Sequence, residues 1–429
     1  MDPYKQLGAN PYLPPMHQYL LPPMHVSRVV GWHGGKPTVP AGLQVAALAT
    51  GLMNPRSVYV LPNGDVLIAE SGGPTPPINR PKEFFMGYLE KKSHSAEKPG
   101  QRISLVRMGP NGAPILRTVL IDHLNAPFGM VLVGNDLYVA DTDAVLRFPY
   151  QTGQTRITTR GVKLTELPGG PIDHHWTKSL TASPDGTKLY AGVGSNSNIT
   201  ENGIQAEKDR AAIWEIDRAT GEHRLYATGL RNPNGLTFEP TTHVLWAVIN
   251  ERDELGPDLV PDYLTSVRDG GFYGWPWSYW GQHVDPRVMP RNPAMVARAI
   301  VPDYSLSSHV APLGLAFYTG TNLPAAYRGG AFVGEHGSWD RNPLNGYKVV
   351  YIPFANGRPA GQAQDVVTGF ATRNSEARGR PVGLAVDNGG GLLIADDVGG
   401  TVWRVTGSGA AAPATATAST KAQPAKARA

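Results

Sequence analysis

Not one of the 429 residues is a cysteine. That excludes disulfides, thiolate nucleophiles and thiolate metal sites, and leaves the redox compartment open. No run of eighteen or more apolar residues occurs, so a membrane-spanning helix of the usual ~20 residues is excluded. Charge is sparse as well, at 17% of residues with a formal balance of +4. Lys421, Lys426 and Arg428, close to the C-terminal end, supply three of those four charges; without them 36 basic residues face 35 acidic ones. A near-neutral body with no basic stripe carries no electrostatic footprint for nucleic acid. The opening residues, MDPYKQLGANPYLPP, lack the basic and apolar regions of a secretory signal. They read as a cytoplasmic chain, or as a mature or trimmed form.

What is abundant is glycine, at 50 residues, and proline, at 39. Together with the low charge they predict many short strands joined by tight turns, an all-β class. From Ala41 onward one pattern recurs: a Pro- or Gly-bearing turn, an apolar alternation, a hairpin turn, then a second alternation that often ends in an acid. It begins at Gly51, His123, Lys178, Gly229, His309 and Gly379. Extra strands such as RISLVRM, AVLRFPY, AAIWEID, KVVYIPF and TVWRV follow most copies. Six units of about four strands predict a six-bladed β-propeller. The repeats recur at longer intervals than the ~40–45 residues of a WD40 blade, so long inter-strand loops separate them, and a site is built on such loops.

This places a Pro-rich arm at residues 1–40, the propeller at 41–406 and a low-complexity tail, expected to be disordered, at 407–429. The arm holds a self-repeat, YLPPMH and YLLPPMH, whose His17 and His25 sit beside methionines. A polyproline-like strap outweighs soft-metal ligation there. In the longest loop, KEFFMGYLEKK aligns Phe84, Phe85, Tyr88 and Leu89 on one helical face, predicting a helix over one mouth of the propeller.

Four polar concentrations fall on the same edge of their repeats. The densest runs from Gly229 to Trp277: Arg231, Asn232 and Asn234 open a strand that ends in Asn250, Glu251, Arg252, Asp253 and Glu254, with five aromatics following from Phe272 to Tyr279. A charge run is ordinarily a solvated loop; the Gly256-Pro257 turn and the aromatics argue for a site instead. The second is Asp173-His174-His175-Trp176-Thr177-Lys178. Adjacent histidines on a strand face opposite ways, which favours one general base over a two-histidine metal site. The third is Arg378-Gly379-Arg380-Pro381, where arginines two apart on an extended segment project to one side and grip an anion with several carboxylates. The fourth is Glu335-His336-Gly337-Ser338-Trp339-Asp340-Arg341-Asn342. In a propeller all four converge on one mouth of the central channel.

The stretches HHWTKSLTASPDGTKLY, GLRNPNGL, NERDELGPDLVPDYLTSV, GGFYGWPWSYWGQHVDPRV, GEHGSWDRNPLNGYKV and GRPVGLAVD resemble the soluble quinoprotein glucose/sorbosone dehydrogenases, closest to the sorbosone branch, over roughly Ala41 to Val405. The resemblance implies a six-bladed propeller using pyrroloquinoline quinone (PQQ) and calcium to oxidise an aldose sugar or sugar-derived aldehyde. It further implies His175 as catalytic base, since Leu180 and Asp185 follow it at the family's spacing. Arg231 and Asn232 match the residues that contact the quinone, and Arg378 and Arg380 those that bind its carboxylates. His336 stands near the position of a lysine in the glucose enzymes, and Ser307 replaces a tryptophan. Their Glu-x-Gly-Pro run, whose backbone carbonyls bind calcium, is altered here, and the resemblance puts the metal ligands within Glu251, Arg252 and Asp253. The family works outside the cytoplasm with an external electron acceptor, so a periplasmic or secreted protein is implied.

Two other readings compete. A lactonase-type propeller would place carboxylates and asparagines on the axis, as Asn232, Asn250 and Glu251 allow, but gives the paired arginines no role. A non-catalytic binding propeller predicts neither turnover nor cofactor.

Overall fold

The computed structural model describes residues 2–17, 25–73, 100–170 and 172–409. The expected helix around Phe84 and all but the first residues of the C-terminal tail lie outside these. Within them the chain is an all-β, six-bladed propeller.

Each blade is an antiparallel sheet whose first strand lines the axis. These inner strands are Pro55–Val60, Gly129–Val133, Leu180–Ala182, Asn232–Phe238, Pro312–Phe317 and Pro381–Val386, each packed against the next and the last against the first. All six begin within the opening residues of a sequence repeat. Second strands such as Val66–Glu70, Ala331–Glu335 and Leu392–Asp396 are buried throughout. A strand pressed on both faces by neighbouring sheets is apolar continuously, so these second strands depart from the alternation expected of them. The acids that end them are buried too, and they tie the rim together. Glu70 accepts from Arg102 Nε at 3.0 Å and from Met53 N at 2.6 Å, and Asp396 accepts from Trp32 Nε1 at 2.7 Å and Trp403 Nε1 at 3.0 Å.

The ring closes with chain from both ends. Leu43–Ala49 pairs antiparallel with Thr401–Gly407 as the outer strand of the sixth blade, removing a free edge and fixing residues more than 350 positions apart. Two edges receive an extra short strand: Gly271–Phe272 runs parallel to His223–Thr228 in blade three, and Leu7–Gly8 pairs with Tyr304–Ser308 in blade four. The latter is held by the fully buried Gln6, whose Oε1 accepts from Ser307 Oγ and Ser308 Oγ while its Nε2 donates to Asp258 O at 2.6 Å. Residues 25–40 continue along blades five and six, through Ser27 to Tyr347, Val29 beside Ala377, and Trp32 edge-on to Phe370 and Trp403.

The aromatic stretch from Phe272 to Tyr279 serves mainly as packing. Phe272, Tyr273, Trp275 and Tyr279 are buried, and only Trp275 reaches the site region, donating to Asn198 O at 3.0 Å.

Candidate active site

The register puts the starts of the inner strands opposite the ends of the second strands, Asn232 against Asn250, Pro312 against Glu335 and Pro381 against Asp396. All four polar concentrations therefore arrive at one mouth of the channel.

Arg231 is 3% exposed and almost entirely committed to oxygen acceptors. Its Nη1 donates to Glu251 O at 2.6 Å and to Asn250 O at 3.3 Å, and its Nη2 to Asn198 Oδ1 at 3.0 Å and Asp253 Oδ2 at 3.3 Å. The carbonyls of the 250–253 loop thus hold the guanidinium in place. Beside it Asn232 leaves Oδ1 buried without a hydrogen-bond donor, a polar atom that a ligand would satisfy.

His175 lies across Gly194 from Asn232: a side chain at Gly194 would come within 2.6 Å of Asn232 Oδ1 and closer still to His175 Cβ, so only glycine permits the approach. His175 Nδ1 sits 2.9 Å from Ser195 O and 3.0 Å from Ser195 Oγ. A carbonyl accepts only, so Nδ1 carries the hydrogen and Nε2 keeps its lone pair. Burial and then the neighbouring Arg231 push the imidazole well below its usual range, keeping it neutral. That is the state a general base requires.

The strand argument used to separate the two histidines does not hold. His174 and His175 occupy a turn before the blade's first strand, with rings 4.8 Å apart at 85°, so alternation does not govern them. What separates them is environment: His174 is exposed and His175 is held against Ser195. The turn is secured from below by Lys178, fully buried, which pairs with Asp173 at 3.0 Å and donates to Trp176 O at 3.1 Å. Asp173 also pairs with Arg210 at 2.6 Å. Burial lowers Lys178 to about 8 in spite of Asp173.

The paired arginines also part company, because Arg378 stands in a bend and the strand begins only at Pro381. Arg378 is exposed, with Nη1 3.4 Å from Gly369 O. Arg380 instead turns into the mouth, donating to His336 O at 3.0 Å and Gly337 O at 2.5 Å over the Tyr347 ring. His336 donates Nε2 to Asp397 at 2.9 Å, and burial followed by Arg380 lowers it to about 4, again neutral. Asp397 in turn takes Arg56 at 2.5 Å, and Arg56 lies over Trp176 at 5.3 Å. Arg56 belongs to the first repeat and carries no motif; only the ring closure brings it here.

The three residues expected to hold a metal divide. Glu251 is buried with Oε1 unpartnered and is raised to about 7, chiefly by burial. Arg252 turns away to Asp285 at 3.0 Å, so its cationic side chain cannot be a ligand. Asp253 faces His309 Nδ1 at 3.4 Å, and His309 lies at the same distance from Asp340. Burial opposes a charged His309, but Asp340 and Asp253 outweigh it and raise the imidazole to about 10. Asp340 belongs to the fourth polar concentration, whereas His309, which begins the fifth repeat, lies outside all four and joins the site only in the fold.

Fold and mouth together define a propeller with a cationic, imidazole-bearing cup at one end of its axis. The chain belongs to the TrAA12-like family, whose model matches residues 111–261 and 290–408. It is 23% identical over 427 aligned positions to the pyrroloquinoline quinone-dependent pyranose dehydrogenase of Coprinopsis cinerea; the match takes in 84% of this chain and 53% of that protein, so this chain spans about half of that relative's length. The holo form of the PQQ domain of Coprinopsis cinerea pyranose dehydrogenase superposes with a TM-score of 0.68 at 20% identity, over 86% of this chain and 97% of that domain. A calcium structure of the Trichoderma reesei AA12 enzyme gives 0.71 at 19% identity, over 90% and 99%.

Proposed function

We propose that this protein is a PQQ-dependent dehydrogenase oxidising a sugar or a sugar-derived aldehyde of the sorbosone kind. The observation that carries the reading is His175: a neutral imidazole whose Nδ1 is tied to Ser195 O, leaving Nε2 as a proton acceptor in the same cup as Arg231. The family and its PQQ-dependent relatives support the cofactor, and so does the donor chemistry of the cup. PQQ carries three carboxylates; Arg56, Arg231 and Arg380 bring three cations, and the unpartnered Asn232 Oδ1 can accept from a ring N–H. When bound, PQQ would supply the two-electron oxidant.

The protein's own groups then have distinct tasks. His175 Nε2 takes the proton of the substrate hydroxyl, which for an aldehyde belongs to its hydrate. Arg231, fixed by five oxygen acceptors, would supply a preoriented positive charge beside a bound quinone. Arg380 holds both its ligand and the His336 loop. Calcium, which the resemblance puts on backbone carbonyls of this run, would compete with Arg231 for Asn250 O and Glu251 O, while the Arg252 and Asp253 side chains face Asp285 and an imidazole. We place the protein in the periplasm or outside the cell, passing electrons to an external acceptor, by likeness to its family; fractionation of the native cells checks this.

The test is to incubate the purified chain with PQQ, follow the bound-quinone absorption, and add aldoses, pyranoses and sorbosone in turn. Binding with substrate-dependent bleaching is expected. Failure to bind PQQ, or binding that no sugar or aldehyde bleaches, would overturn the proposal; lactone hydrolysis without PQQ would replace it.

A further inference from the structure

We infer that Asp253, His309 and Asp340 form a binding site for a divalent transition metal that accepts an imidazole ligand, such as zinc or manganese. The three residues come from separate elements of the rim: the loop after the second strand of blade four, the residue directly after Tyr304–Ser308, and the loop after the second strand of blade five. His309 Nδ1 lies 3.4 Å from Asp253 Oδ1 and 3.4 Å from Asp340 Oδ1, and the three ligand atoms all fall within 4.8 Å of one another. A tetrahedral ion ~2.1 Å from each ligand atom holds those atoms ~3.4 Å apart, so both measured edges already have the required length.

Two further observations point to a ligand. His309 Nε2 sits 3.0 Å from Gly256 O, which makes Nε2 the donor and presents the Nδ1 lone pair to the carboxylates when the ring is neutral. A metal-bound histidine ordinarily has its second nitrogen fixed in this way by a carbonyl or carboxylate. Asp340 is 4% exposed, and its Oδ1, aimed at His309, takes part in no hydrogen bond. The His309 imidazole faces that oxygen at 3.4 Å without forming a hydrogen bond, and a cation seated between the two would satisfy it more closely.

The donor set decides the class of metal. Calcium takes six to eight oxygens, whereas this cluster offers one nitrogen and two carboxylates, a set suited to zinc or manganese. Charge agrees: two carboxylates balance a divalent ion, which would leave Arg231, now sharing Asp253 Oδ2 at 3.3 Å, with its own charge available to an anion in the cup. Asp253 is the most exposed member, with 18% of its side chain accessible, so a remaining coordination position would open toward the channel mouth.

The experiment needs neither PQQ nor substrate, so it succeeds or fails independently of the proposed activity. The full chain is stripped with chelator and titrated with zinc, cobalt, manganese and calcium separately, by calorimetry and by cobalt visible absorption. One equivalent of zinc or cobalt should bind per chain, with d–d bands, and equimolar calcium should not displace it. His309→Gln and Asp340→Asn should each weaken binding at least about tenfold, while Arg378→Ala retains it. Pulsed EPR of the manganese-loaded wild-type chain should report a coupled imidazole nitrogen, a readout that survives any variant failing to fold. Absence of stoichiometric binding, preference for calcium, wild-type affinity in both folded variants, or no nitrogen coupling would each overturn the inference.

Discussion

His175 Nδ1 lies 2.9 Å from the main-chain oxygen of Ser195, and that single contact sets both the tautomer and the aim of the imidazole. Because the second strand of blade three delivers Ser195 to the rim, the imidazole of one turn is oriented by the backbone of the neighbouring hairpin.

His175→Ala should bind PQQ with little change, since the cationic contacts remain, yet reduce it ~10²–10⁴-fold more slowly in a single turnover with substrate. His174→Ala should stay within a few-fold of wild type, because that ring is exposed. Stopped-flow bleaching of the bound quinone in both variants checks this. Loss of rate in the His174 variant alone would move the base to the other ring, and fast bleaching in both would remove histidine from the chemistry.

The arginines of the sixth blade should likewise separate. Arg380→Ala removes a guanidinium lodged between His336 O, Gly337 O and Tyr347, and should weaken PQQ binding by about tenfold or more, corresponding to ~1.4 kcal/mol or above. Arg378→Ala should bind within about twofold of wild type, since its exposed side chain reaches only Gly369 O at 3.4 Å. Tryptophan-fluorescence titrations with PQQ measure both. Equal losses would restore the paired grip expected from their spacing.

That outcome bears on what a sequence can show of this molecule. The blades were legible from the recurring order of turn, strand, hairpin turn and strand, although second strands such as VLIAE, LLIAD and AFVGE are buried on both faces and run apolar continuously where alternation is expected. The third strand of blade four, Pro261–Ser266, was not recognised: PDYLTS opens with proline and an acid, and Asp262 is there to hold Glu251 N and Ala311 N at the rim. Arg231, Asn232, His175, Arg380 and His336 reach the mouth because they flank strands whose register places them there. The failures share one cause. Alternation was applied to His174-His175 and to Arg378-Gly379-Arg380, which are a turn and a bend, and outside a strand the two-residue period does not exist. Arg56, Asn198 and His309 join the site through ring closure and loop packing, relationships between distant repeats that no local spacing records.

The clearest pH effect should come from Glu335, the buried acid ending the second strand of blade five. Its Oε2 has no hydrogen-bond partner, and it lines a small cavity with Tyr4 and Leu7 of the arm, Asn345, Lys348 and Asp365. Burial raises it to about 8; Lys348 opposes the shift, while Asp365 and Asp262 add to it, and Lys348 is itself drawn to Asp365 at 2.7 Å. In the unfolded chain Glu335 loses its proton near the ordinary value of 4.5, whereas the folded protein keeps it to about 8. Between those values the folded state binds more protons, so this group's contribution is fully present below the lower value and is lost as pH rises through the window. At ~1.4 kcal/mol per pH unit the full effect is a few kcal/mol. Glu335→Gln mimics the protonated acid at every pH. Its melting temperature should match wild type near pH 5 and exceed it increasingly toward pH 8, with the difference levelling off above that. Parallel melting curves for the two proteins across pH 5 to 8 would show that Glu335 is ionised within the fold.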